Sequence, residues 1–140
     1  MKKLLYLCLA GLLIFASACK SYSDGPLISF KKPESRLVNI WVPEKVYDEQ
    51  GNDISSQFED ISYLFNSDGT MEIRLLLAGV FQTQSSGTWS FINKKDQLVL
   101  NYSGSFITAV DTLTVLRLKS NSFWYKSQYG KEFHLLPEAR

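Results

Sequence analysis

The chain has 140 residues, 45% of them hydrophobic and 21% charged, with a formal net charge of +1. Its basic residues form no run longer than the isolated pairs Lys31–Lys32 and Lys94–Lys95, so the electrostatic footprint of a nucleic-acid binder is missing. One histidine and two cysteines are too few for a metal centre of imidazole and thiolate ligands, and no metal or cofactor is expected.

In chain order, Lys2 and Lys3 precede an apolar run from Leu4 to Phe15. A run of about a dozen residues suits the hydrophobic region of a signal peptide and falls short of the roughly 20 that span a bilayer. Ala16-Ser17-Ala18 supplies the small side chains that a signal peptidase admits, and Cys19 follows. The cluster resembles a bacterial lipobox, in which the cysteine is acylated and becomes the first residue of the mature protein. A signal peptide over 1–18 and lipidation at Cys19 are therefore expected. Cys8 leaves with the leader, so the mature chain keeps one thiol and no internal disulfide, and acylation accounts for that odd thiol. Loss of Lys2 and Lys3 turns the net charge to one negative. The acyl chains make the membrane a partner through Cys19, since two or more chains anchor stably.

Residues 19–35 hold the lipidated cysteine and a tether rich in Ser, Pro, Gly and charge, in which Leu27 to Phe30 could add a strand. The domain proper is expected over 36–140, all-β, with short strands between turn signals. A first strand runs from Arg36 to Asp48 with a bulge or edge at Pro43, which has no N–H to donate. After a turn, 53–60 is the least strand-like part and predicts a short helix with Asp53 as N-cap and Phe58 as inward anchor. Strands at 61–66 and 70–77 flank the Asp68-Gly69 hairpin signal. The composition of 78–87 predicts a turn or short strand. Strands follow at 87–92, 97–102, 111–119, 122–126 and 132–136, separated by short polar turns. Trp89 alternates with Ser90 and Phe91, and Leu98, Leu100 and Tyr102 alternate with Val99 and Asn101; this period of two gives one buried and one solvated face. About eight antiparallel strands leave unpaired edges unless the sheet closes, which predicts an up-and-down barrel.

Several stretches carry a resemblance: Trp41 on the first strand, the hairpin from Tyr63 to Ile73, Ser85 to Phe91, Gln97 to Leu100, and Leu113 to Lys126. Together they are similar to the lipocalin-like domains of lipoproteins from Bacteroidetes-type bacteria, over roughly Leu37 to Leu136. The resemblance implies a lipocalin or calycin-like barrel and a place in the cell envelope, here an outer-membrane lipoprotein facing the periplasm or the cell surface. It carries no catalytic residue.

The residues themselves point the same way. His134 lies between the inward Phe133 and Leu135 and so faces outward. A Ser-His-Asp triad needs a nucleophile set against that histidine, and no Gly-x-Ser-x-Gly is present. Asp48-Glu49 and Glu59-Asp60 are sequence neighbours, which on a strand point to opposite faces and cannot act as a pair. The Ser67-to-Thr70 stretch lacks the further acidic positions of a calcium loop. No catalytic group and no enzyme is expected. The rings of Trp41, Phe65, Trp89, Phe91 and Tyr102 are candidates for the barrel interior, where they fill a core or line a site for a small apolar ligand. Trp124, left outward by the inward Phe123 and Tyr125, is a candidate patch for an envelope protein, or it packs under 53–60. The expected role is a binding module of the envelope for a small apolar ligand or a protein partner. The alternative is a structural or inhibitor-like protein with a filled barrel.

Overall fold

The computed structural model describes residues 31–104 and 108–139. Cys19, the leader and the 27–30 stretch lie outside the described residues. Eight antiparallel strands follow one another and close into a barrel: β1 (Asn39–Tyr47), β2 (Ile61–Phe65), β3 (Thr70–Leu77), β4 (Val80–Ile92), β5 (Gln97–Gly104), β6 (Thr108–Lys119), β7 (Ser122–Lys126) and β8 (Glu132–Pro137). β8 pairs back onto β1, from Trp41 opposite Pro137 to Tyr47 opposite Glu132, so every strand has two neighbours and no edge is left. The expected eight-stranded up-and-down barrel is the observed fold, and the bulge falls between Pro43 and Lys45 as the proline predicts.

Three local expectations need correction. The first strand begins at Asn39, because Pro33–Leu37 forms a short helix, α1. Proline is at home in a first helical turn, where no N–H partner is needed, and Glu34 and Arg36 suit the two ends of the dipole. The helix buries Leu37 completely, and the Arg36 guanidinium donates to Leu118 O at 2.8 Å. The indole of Trp41 donates to Leu37 O at 2.8 Å, so α1 closes this end of the barrel. Next, the turn or short strand expected over 78–87 is a two-residue turn and then the first half of a 13-residue β4. The turn is only Ala78-Gly79, both with positive φ (51° and 80°), which matches the strand twist and sets Leu77 opposite Val80. Last, the 53–60 helix is a single 3-10 turn at Ser55–Gln57 whose cap is Ile54. Asp53 instead accepts from Lys45 Nζ at 2.8 Å and from the Ser55 N–H at 2.9 Å. Those bonds, the Lys45 ammonium first, hold its carboxyl far below the usual range.

The barrel interior has two layers. At the α1 end, Trp41, Phe65 and Phe123 are fully or almost fully buried and meet edge to face, with ring centroids 5.8 Å (Trp41–Phe123) and 6.3 Å (Phe65–Phe123) apart. Trp89 joins them at 6.2 Å from Phe65, and Leu37, Met71, Leu98 and Leu118 fill the remaining space. β4 and β5 close tightly here because of Gly87: a Cβ at this position would lie 2.0 Å from Asn101 O and 2.6 Å from the Tyr102 Cα. The second layer, toward the opposite end, is not filled.

Candidate functional site

Strand period fixes what faces inward at each level. On four strands a step of two residues away from α1 replaces an apolar side chain by one with a polar tip. Phe65 gives way to Tyr63 on β2, Leu100 to Tyr102 on β5, Leu113 to Asp111 on β6, and Phe123 to Tyr125 on β7. The result is a cavity of about 180 Å³ whose wall carries these four polar tips. Ile73, Leu100 and Leu113 contribute its apolar surface. Phe133 of β8 stacks on Tyr125 at 4.8 Å and 12°, and Phe58 meets Phe133 edge-on at 5.1 Å, so the 3-10 turn is pinned over one side by the anchor expected there. The β7–β8 turn supplies Tyr129 and Lys131 at the solvent side, both exposed, with Lys131 Nζ 5.9 Å from the Phe58 ring centroid.

Two of the polar tips, Tyr102 and Asp111, bond each other. Tyr102 donates its hydroxyl to Asp111 Oδ2 at 2.7 Å, and Gln128 Nε2 donates to Asp111 Oδ1 at 2.9 Å. Tyr63 and Tyr125 line the same cavity. Burial raises the pKa of Tyr63, Tyr102 and Tyr125 above the ordinary 10.0, and for Tyr102 donation to the Asp111 carboxylate pushes the same way. All three phenols are neutral donors or acceptors at physiological pH. The site can therefore hold a body of about one ring against aromatic walls and offer it hydroxyls and one carboxylate.

Of the interior candidates Trp41, Phe65, Trp89, Phe91 and Tyr102, only Tyr102 lines this cavity. Trp41, Phe65 and Trp89 belong to the closed layer, because their strand positions sit level with α1. Phe91 is half-buried and packs on that layer, 6.0 Å from Trp89. Tyr63, Asp111 and Lys131 are not singled out by composition or motif. The signal that finds Tyr63 and Asp111 is the in-register step from apolar to polar tip, legible only once the strands are aligned; Lys131 lies on a turn and is found only by the cavity it borders. On the outer wall, Trp124 faces outward as expected, and so does His134. Its partners are cross-strand neighbours and not the 53–60 segment: the Arg117 guanidinium lies 3.7 Å from its ring centroid, and the His134 ring stacks on it at 4.0 Å and 6°. Since β6 and β8 flank β7 on opposite sides, both faces of the Trp124 ring are taken. His134 Nε2 is 2.7 Å from Glu132 Oε1.

No family model and no curated protein matches this chain. Among solved structures, a lipocalin-like protein from Bacteroides uniformis is similar with a TM-score of 0.61 and 16% identity, over 73% of this chain and 98% of that one. An uncharacterized protein from Bacteroides eggerthii is similar with a TM-score of 0.59 and 14% identity, over 71% of this chain and 98% of that one. The chain thus folds as an eight-stranded, closed, lipocalin-like barrel.

Proposed function

We propose that this protein is a non-enzymatic binding module of the bacterial cell envelope, anchored in the outer membrane by acylation of Cys19, which takes a small, largely apolar ligand into the tyrosine-lined end of its barrel. The carrying observation is the unfilled layer: about 180 Å³ of cavity, open at the solvent side and lined largely by rings, above a core that is packed. An apolar cavity of about 150 Å³ is enough to hold benzene, whereas drug-sized ligands occupy about 300–1,000 Å³. The ligand is then of single-ring size, and a long-chain fatty acid or haem does not fit. The leader-like 1–18 stretch and the small residues before Cys19 support the anchor. His134, the only histidine, is held on the outer wall by Trp124 and Glu132, away from the cavity, which supports binding over catalysis.

The test is calorimetric titration of the protein with benzyl alcohol, palmitate and haem. The reading predicts saturable one-to-one binding of the ring compound in the micromolar to millimolar range, about −8 to −4 kcal/mol, and none of the larger two. Silence with all three would favour a filled, structural barrel, and tight haem or palmitate binding would show a larger site than the one described.

A further inference from the structure

Two charged side chains line the cavity, and they are placed differently. Asp111 is half-buried on an inward position of β6, beside Leu113 and bonded to Tyr102 within the wall. Lys131 is exposed, on the turn at the solvent side. A carboxylate among rings is unfavourable to bury unless donors meet it. Asp111 receives two, one from a neutral phenol and one from a neutral amide, one on each oxygen. Each carboxylate oxygen has two lone pairs, so each keeps acceptor capacity. The donors also fix the orientation of the group. Around the cavity stand the rings of Phe58, Tyr63, Tyr102, Tyr125, Tyr129 and Phe133. Aromatic faces attract a cation electrostatically, more strongly when it is desolvated, and the Lys131 ammonium already rests 5.9 Å from the Phe58 ring at the rim.

We propose that the ligand of this cavity is a small organic cation, an ammonium group on a body about one ring in size, with its charge on Asp111 and its apolar part against the tyrosine rings. This rests on the reading that the cavity takes a ligand. Lys131 then acts against the ligand from the rim, as a like charge at the entrance. An anion would reverse both roles, with Lys131 as its partner and Asp111 as its repeller.

The test uses three probes with the same ring and different charge: benzylamine, benzyl alcohol and benzoate. Each is titrated into the full-length protein and followed by amide chemical shifts. Benzylamine is expected to bind at least tenfold tighter than the other two. Asp111→Asn should collapse that preference to within about twofold, and Lys131→Met should strengthen benzylamine binding severalfold. If Asp111→Asn does not fold, Lys131→Met decides: stronger benzylamine binding supports the proposal, and weaker or unchanged binding overturns it. Benzyl alcohol binding as tightly as benzylamine, or benzoate binding tightest, would overturn the cation assignment while leaving the cavity a ligand site. No binding by any of the three would overturn the ligand reading as well.

Discussion

Trp89 is 9% exposed, meets Phe65 and Phe91 edge to face, and donates its indole N–H to Asn66 O at 3.2 Å. Its place inside was legible from alternation alone, because Ser90 beside it is solvated. Trp89→Ala removes a large ring from a packed layer, and a loss of about 3–5 kcal/mol is expected, read as a lower urea midpoint. A midpoint that hardly moves would place the ring at the surface. Gly87 makes a different demand. Any Cβ there meets backbone, Asn101 O at 2.0 Å, which no rotamer change relieves. Gly87→Ala should therefore destabilise despite the residue's extended conformation, whereas Gly51→Ala, with no neighbour within 4 Å, pays only for its positive φ of 84°. Such a contrast depends on how near the neighbouring strand comes, and a single strand's sequence does not carry it. Tyr63 and Asp111 were hidden for the same reason: each is an ordinary strand residue until register puts them around one space.

Elements with a local signal were read from the chain; elements made by tertiary contact were not. The Asp68-Gly69 hairpin is written in the turn itself, since Asp68 accepts from Thr70 N at 2.9 Å and Gly69 has a φ of 85°. The first half of β4 reads as polar and turn-like, yet pairing with β3 from Val80 onward, joined by β5 from Ser85, holds it extended. Helix α1 is too short to be stable alone and exists because Leu37 fills the barrel end. Leu37→Ala should cost about 2–5 kcal/mol, more than an exposed helix position would. A thermal melt within a degree of the parent protein would show that α1 is not the lid of the core. Lys95 supports the same corner by reaching Glu34 Oε1 at 2.7 Å, but both side chains are well exposed, so Lys95→Ala should change stability by under about 1 kcal/mol.

For the whole molecule, the barrel was foreseeable because eight consecutive strands have few ways to avoid edges, while the division of its interior into a filled and an open layer was not. That division has a pH signature. Tyr63, Tyr102 and Tyr125 hold their protons in the folded state beyond the pH at which an unfolded tyrosine, near 10.0, releases its own. The unfolded chain binds fewer protons above that pH, so stability is fully present below about pH 10 and falls as pH rises past it. Tyr125→Phe should reduce the fall; a urea midpoint flat to pH 11 in the parent protein would contradict the burial. The anchor is tested separately: Cys19→Ser should release the protein from the membrane fraction and abolish acyl labelling. The central claim is that ligand enters the tyrosine layer and not the core beneath it. The most direct measurement is a set of intermolecular NOEs from bound benzyl alcohol. They should reach the ring protons of Tyr63, Tyr102 and Tyr125 and be missing at Trp41 and Phe123; contacts to Trp41 and Phe123 without the tyrosines would contradict the account.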